Sequence, residues 1–581
     1  MPTSWLGTIA LVLLSGIPTS SAAFIPPNEY IFNPSNKAAA VVSENIECSR
    51  LGRDLMRIGG NAIDAIVGTQ LCVGVTAMYH SGIGGGGFAV VRDADGNYEV
   101  VDFRESAPAA ATQDMFNDDA EASIAGGLAV AVPGELKGLE YMHNKYGSLP
   151  WERVVMPASH LARRGITVNA DMVRYMKAGI EDAGRNFLVE DPDWAEIFAP
   201  NGTLVGLGDT IYLNHYAETL KTIATEGADA FYTGSLAASF VRTVQETGGI
   251  MTLDDMRSYR VESRQPILTT FRNFTLISAG APASGAVCLN TLKILEQFDD
   301  HATADTNLTT HRLDEASRFA YGARSLLGDP SFVAGMPAYE HRLLSAADAK
   351  AIRAKIRDDA TLPVEDYDPD RRHGSEDPHP HYYTTPGYGT SHVAAAHAAS
   401  GLAVSLTSTV NLLFGALRID PRTGVVLNNE MNDFSIPGVR NAFGFEPSPA
   451  NFIRPHKRPL SSSSPVLVED AQGNLRMAVG AAGGSRIISA TAQVLWRVLE
   501  QGLSLADAMR APRLHDQLMP NQVMLEYSFD NATAASLREK GHNVTWVGEG
   551  LSAVQAIHIL DDGVFEAVGE PRQRNSGGLT R

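Results

Sequence analysis

Tyr388-Gly389-Thr390-Ser391-His392 is where the chain changes character. Just upstream, Asp366-Tyr-Asp-Pro-Asp-Arg-Arg-His-Gly-Ser-Glu-Asp-Pro-His-Pro-His381 is polar, Pro-rich and free of aliphatic residues. Such a stretch cannot bury itself and reads as exposed linker, which we draw from about 346 to 389, with Lys350 to Asp359 as a charged helix candidate. Downstream, Ser391 to Ala398 and Leu402 to Ser408 read as two strands around an Ala399-Ser-Gly401 turn. Their small residues suit a sheet covered tightly on both faces. A cut between Gly389 and Thr390 would leave Thr390 with a hydroxyl nucleophile and a free α-amine of pKa ~7.7–8.0, so that the residue carries its own base. Gly389 would present an unhindered carbonyl to an N-to-O acyl shift. The plainer reading is a turn entering a strand, and these residues alone leave both open.

Working outward, Pro465 to Val468 and Leu475 to Val479 form another strand pair around Asp470-Ala-Gln-Gly-Asn474. Gly480-Ala-Ala-Gly-Gly484 then leads into a helix from about Ser485 to Glu500, placing free backbone N–H groups where an oxyanion is stabilised. Toward the N-terminus, Cys48 to Val75 has helical apolar spacing interrupted at Gly59-Gly60. Phe88 to Arg92 and Tyr98 to Phe103 are short strands around Asp93-Ala-Asp-Gly-Asn97, with Arg104 just beyond. Gly84 to Gly87 is no phosphate cradle, since no Lys-Ser/Thr follows and the run enters a strand. The span from about 130 to 350 is mostly helical in pattern.

With 47 basic against 66 acidic residues in 581, the formal charge is 47 − 66 = −19. That sign disfavours nucleic acid, and an anionic small molecule would need dedicated arginines, so arginines in apolar or Gly-rich surroundings stand out. Three cysteines make no disulfide framework; Cys48 and Cys72 flank one helical hairpin and pair or stay reduced, while Cys288 sits among small apolar residues and reads as inert core. His373, His379 and His381 lie in the linker without a fourth ligand, so neither a metal nor another cofactor is expected. Residues 1–23, with an apolar run from Trp5 to Ile17, read as a secretory signal peptide, with a weak signal anchor as the alternative. Competent sequons at Asn201, Asn273, Asn307, Asn531 and Asn543 agree with a secretory route, to the medium or to the outer surface.

After Gly389-Thr390, the segments Thr407-Ser-Thr-Val-Asn411, Asn428-Asn-Glu-Met-Asn-Asp-Phe434, Pro459-Leu-Ser-Ser-Ser463 and Gly480-Ala-Ala-Gly-Gly484 follow in order. This series closely resembles the small subunit of γ-glutamyltranspeptidases. Gly82-Ile-Gly-Gly-Gly86, Phe103-Arg-Glu-Ser-Ala-Pro108 and Val132-Pro-Gly-Glu135 resemble the large subunit, and the similarity runs from about residue 38 to the C-terminus. The resemblance implies an α/β fold of the N-terminal-nucleophile hydrolase class, an αββα sandwich with two stacked sheets between helical layers. It further implies one precursor that cleaves itself into a heavy chain, 24–389, and a light chain, 390–581, held as a heterodimer. Glutathione and other γ-glutamyl compounds would be the donors, with water, an amino acid or a dipeptide as acceptor.

Carried over residue by residue, Thr390 matches the nucleophile, Thr409 the threonine that orients it, and Gly483 and Gly484 the oxyanion-hole pair. Arg104, Ser461 and Ser462 match the group holding the substrate α-carboxylate. Asn411, Glu430 and Asp433 match the group holding its α-ammonium. Two places depart from the pattern: Asn432, where many relatives carry a second acid, and the ending Glu570-Pro-Arg-Gln-Arg-Asn-Ser-Gly577. Two other readings stay open: a related amidase or acylase with another acyl group, and a secreted binding homologue without activity. Turnover lost in a Thr409→Ala variant that still processes would exclude the latter.

Overall fold

The first strand, Ala39–Ser43, shows how the layers arise. Ala40 and Val42 enter the core between two sheets, whereas Ala39 and Val41 face a helical layer. Every residue of this strand is buried, because successive side chains serve different cores. The computed structural model describes residues 36–300, 303–367, 388–439 and 447–581. Its larger sheet has seven strands in the order Gly577–Thr580, Ala39–Ser43, Tyr388–His397, Leu402–Leu412, Gly86–Arg92, Tyr98–Asp102 and Glu262–Arg264. All neighbouring pairs are antiparallel. The second sheet runs Phe565–Val568, Ala553–Ile559, Leu475–Ala482, Val466–Asp470, Phe274–Ser278, Ile267–Phe271, again antiparallel throughout.

Between the sheets, Ala394, Ala396 and Ala403 meet Leu467, Ala478 and Ile557. On the outer face of the larger sheet, Val393, Ala395, Val404 and Leu406 pack in one cluster with residues of the helices Ile46–Arg57 and Ala62–Thr76. The second of these helices has no exposed residue, and its start is fixed by a capping box between Asn61 and Asp64. On the far side, Val466, Val468, Met477 and Val479 cluster with the helices Gly285–Leu295, Thr306–Arg324 and Arg486–Leu499. The result is two stacked sheets between helical layers, an α/β layered sandwich of the expected kind.

The span 130–350 is mostly helical, as expected, with short strands inside it: Glu262–Arg264 edges the larger sheet, and Ile267–Phe271 with Phe274–Ser278 forms a hairpin in the second. Arg272, at φ 53°, makes the turn; Thr269 and Phe271 are buried while Leu268 and Thr270 are exposed, a period-two burial that the polarity of the residues does not follow. One expectation needs correction: the linker begins later than drawn. Ala346–Arg353 is helical with Ala349 buried, Ile356 is buried, and the Tyr367 hydroxyl donates to both Glu315 carboxylate oxygens at 2.7 Å inside the core. The rest of the linker, with His373, His379 and His381, lies outside the described residues, as does the leader.

Cys48 and Cys72 are joined, S–S 2.03 Å, tying the two N-terminal helices together. Cys288 is buried, and burial pushes its thiol far above the ordinary range, which agrees with an inert core residue. Asn201, Asn273, Asn531 and Asn543 are exposed; Asn307 is half-buried and accepts a hydrogen bond from Thr533 at 2.7 Å. Among the described residues no helix is long and apolar enough to cross a membrane. The loosely matching C-terminal stretch is structural: Glu570 pairs with Arg513 at 2.8 Å and Arg572 at 3.1 Å, just before the edge strand Gly577–Thr580.

His392 gives the sandwich a pH dependence. Its ring sits between the sheets against Gly480, where a Cβ would come within 2.3 Å of it, with Nδ1 2.8 Å from Thr407 Oγ1. Burial pushes its pKa down to about 3, so it stays neutral while an unfolded histidine protonates near 6.5. A depressed folded-state pKa gives stability that is full above about 6.5 and is lost as pH falls toward 3, about 2 kcal/mol of it by pH 5. Urea midpoints should therefore fall less between pH 7.5 and 5.0 for His392→Gln than for the parent protein. Equal falls would contradict this.

Candidate active site

The nucleophile candidate is placed by a strand pairing that slips. Thr390 on Tyr388–His397 lies opposite Thr409 on Leu402–Leu412, and beyond a bulge Asn411 lies opposite Gly389. Asn411 adopts φ 75°, which asparagine tolerates better than most residues. Thr390 Oγ1 donates to Thr409 Oγ1 at 3.3 Å, and the Asn411 N–H donates to the same oxygen at 2.7 Å. Thr409 spends its own proton on the Gly389 carbonyl at 2.5 Å, the carbonyl of the bond expected to break. Glycine is required at 389, since a Cβ would sit 2.5 Å from the Leu412 carbonyl oxygen. The Gly84–Gly87 run has the same kind of cause: a Cβ on Gly85 would lie 2.0 Å from the Thr409 carbonyl oxygen.

Gly483 and Gly484 follow the strand Leu475–Ala482 and precede the helix Arg486–Leu499. Their φ values, 124° and 60°, lie where side chains are disfavoured, and a Cβ on Gly483 would come within 2.5 Å of the Leu551 carbonyl oxygen. Gly484 lies in the wall of a cleft that Thr390 also lines. That cleft holds about 870 Å³ of atom-free space, its open mouth included. Apart from Gly483, all the expected catalytic and substrate-binding residues line it: Thr390, Thr409, Gly484, Arg104, Asn411, Glu430, Asp433, Ser461 and Ser462. Asn411 Nδ2 donates to the Asn429 carbonyl at 3.0 Å, which fixes the amide and identifies Oδ1 as its acceptor end.

The same cleft holds a buried charge cluster. The Arg104 guanidinium donates through Nη1 to Glu430 and through Nη2 to Asp433, while Nε reaches the Pro459 carbonyl at 3.3 Å. Glu105 is a third carboxylate, 3.7 Å away. Arg104 is thus the centre of a carboxylate-rich group. Burial pushes Glu105 up to about 7 and Glu430 above the usual range, with Arg104 opposing both. A ligand bringing an ammonium and a carboxylate together can enter such a pair without leaving either sign uncompensated. An anion alone cannot.

A profile of the γ-glutamyltranspeptidase family matches residues 48–579. The chain belongs to the γ-glutamyltranspeptidase family. The glutathione hydrolase proenzyme of Arthroderma benhamiae is 46% identical over 555 residues, spanning 94% of this chain and 93% of its own. The glutathione hydrolase proenzyme of Escherichia coli is 34% identical over 590 residues, 98% of each. Among solved structures, γ-glutamyltranspeptidase from Helicobacter pylori superposes with TM-score 0.52 at 32% identity, covering 57% of this chain and 95% of that one. Cephalosporin acylase from Bacillus halodurans matches at TM-score 0.82 over 97% of this chain and 99% of that one; at 24% identity it speaks to the fold alone. The sandwich is that of the N-terminal-nucleophile hydrolases.

For this member of the γ-glutamyltranspeptidase family, sequence reasoning missed several cleft residues, among them Arg324, Tyr321, Asn451 and Gln517. Arg324 was within reach: it ends the mainly apolar Phe319-Ala-Tyr-Gly-Ala-Arg324, and arginine in such surroundings is the signal that picked out Arg104. Asn432, the departure in the acidic motif, is not among the residues lining the cleft, and its Nδ2 donates to Ser123 Oγ at 2.7 Å. One other cluster among the described residues has metal-ligand types, His311, Glu315 and His542. There His311 Nδ1 and His542 Nε2 are hydrogen-bonded to each other at 2.7 Å and His311 Nε2 to the Arg357 carbonyl at 2.6 Å, which accounts for the grouping.

Proposed function

We propose that this enzyme is a γ-glutamyltransferase and glutathione hydrolase that first cleaves itself between Gly389 and Thr390. Thr390 Oγ attacks the Gly389 carbonyl, the C–N bond breaks, and water hydrolyses the resulting ester. Heavy chain 24–389 and light chain 390–581 stay together as a heterodimer. Thr390 then attacks the γ-carbonyl of glutathione or a related donor, its α-amine taking the hydroxyl proton and giving it to the departing amine. Gly483 and Gly484 stabilise the oxyanion. Water resolves the γ-glutamyl ester to glutamate, and an amino acid or dipeptide resolves it to a new γ-glutamyl product. Arg104, Ser461 and Ser462 take the donor's α-carboxylate; Asn411, Glu430 and Asp433 take its ammonium.

The observation that carries this reading is the joining of Thr390, Thr409 and the buried Arg104, Glu430 and Asp433 in one cleft. An acyl group without an α-ammonium would leave the excess of three buried carboxylates over the one Arg104 guanidinium without a cation, which disfavours another acylase. A secretory route is part of the proposal, supported by the Cys48–Cys72 bond and by four exposed sequon asparagines. The test is expression of residues 24–581, a denaturing gel with N-terminal sequencing of the small band, and glutathione turnover with and without a dipeptide. A light chain starting elsewhere than Thr390 removes the nucleophile; a correctly cut protein without turnover points to another acyl group or to a binding homologue.

Thr409 does more than the sequence suggested. Because its hydroxyl donates to the Gly389 carbonyl, Thr409→Ala should slow self-cleavage by about 10²-fold as well as turnover, as loss of one oxyanion donor does. Thr409→Ser should restore both. A Thr409→Ala precursor that disappears at the parent rate on a timed gel would show that this contact takes no part in the cut.

A further inference from the structure

We propose that Arg324 is a positioning residue that directs the Ser462 hydroxyl proton toward the donor's α-carboxylate, an inference resting on the assignment of Ser462 made above. Arg324 is the last residue of the helix Thr306–Arg324, is almost fully buried and lines the cleft. Its Nη2 donates to Ser462 Oγ and its Nε to Ser284 Oγ, each at 3.2 Å. A guanidinium only donates, so both hydroxyls accept from it and each keeps one proton for another partner. Ser284 shows where such a proton goes: its Oγ donates to the Ser461 carbonyl at 2.5 Å, and its N–H donates to the Ser463 carbonyl at 2.9 Å. The serine loop is thereby pinned from behind.

The two candidate serines then differ. Ser461 Oγ is engaged within the loop, donating to Ser463 Oγ at 3.0 Å and accepting from the Ser463 N–H at 3.1 Å. Ser462 is half-buried, faces the cleft, and has its lone pairs oriented by a cation behind it. A hydroxyl so held is a better donor, because accepting from a charged group polarises the O–H. Arg324 thus adds to carboxylate recognition through Ser462. Burial lowers its pKa to about 10, which leaves it charged at neutral pH.

The test uses processed enzyme carrying Arg324→Met or Arg324→Lys, each with and without Ser462→Ala. The donors are a γ-glutamyl anilide and the 4-aminobutyryl anilide, which keeps the ammonium but has no α-carboxylate. Arg324→Met should raise KM for the γ-glutamyl donor about tenfold with kcat within about twofold, the effect of one charge-assisted hydrogen bond. Arg324→Lys should fall between. KM for the carboxylate-free donor should move less than about twofold, and Arg324→Met should add little once Ser462 is alanine. Three results would overturn the inference: an unchanged KM, equal effects on both donors, or full multiplicativity with Ser462→Ala. Failure of both Arg324 variants to process would also overturn it, by assigning the residue to folding. Absence of γ-glutamyl turnover in the parent enzyme would instead indict the proposed function.

Discussion

Thr390→Ala protein is expected to remain a single chain and to release no amine from a γ-glutamyl anilide. In the proposed scheme one hydroxyl serves both reactions, attacking the Gly389 carbonyl in the precursor and the donor's γ-carbonyl in the product, so its loss stops the sequence at the first step. The expected fall in turnover is on the order of 10⁴-fold or more, since the remaining groups have no nucleophile to assist. The two roles can be separated by co-expressing 24–389 and 390–581 as individual chains, which bypasses self-cleavage. With Thr390 at the start of the light chain, the assembled protein should turn over the anilide. With Thr390→Ala in the same arrangement, it should assemble and stay inactive. A single-chain Thr390→Ala protein that is still cut at 389, or an assembled one that still turns over donor, would remove Thr390 from its place.

The parts of this site that could be read in the sequence share a physical property: they depend on backbone geometry encoded within a few residues. Gly389-Thr390 at a strand start and Gly483-Gly484 before a helix are local patterns, and the fold places both at one cleft. What could not be read depends on contacts between distant segments. Arg104 meets Glu430 and Asp433 across 326 and 329 residues, so spacing could not reveal that its fork is already engaged. Thr409 reaches the Gly389 carbonyl only because the strand pairing slips between Thr409 and Asn411, a shift no propensity rule would place there. The hairpin Ile267–Phe271 and Phe274–Ser278 was not legible, because Leu268 is exposed and Thr269 buried, against the polarity of the residues, and it lay inside a long helical stretch. The alanines of Tyr388–His397 were easier, because closely stacked sheets leave room for little else.

Arg104 is where the structure most alters an expectation from sequence. Matched only to the substrate α-carboxylate, it should raise KM when replaced and leave the two-chain pattern intact. Its buried contacts with Glu430, Asp433 and Glu105 say otherwise. Truncating one member of a buried ionic group leaves the rest uncompensated and typically costs about 3–5 kcal/mol. Arg104→Ala should therefore lower Tm and the yield of processed protein, as well as raising KM for glutathione about a hundredfold. Arg104→Lys keeps the charge without the planar fork and should lie between. Adding Glu430→Gln to Arg104→Ala removes one orphaned carboxylate, so the double variant should regain part of the lost Tm. Its KM should not recover, because neither the α-carboxylate nor the ammonium regains a partner. A normal Tm for Arg104→Ala would mean that the cluster adds nothing to stability, and a normal KM would mean that the donor's head binds elsewhere. Recovery of Tm without recovery of KM is the outcome that separates the two duties of this one side chain.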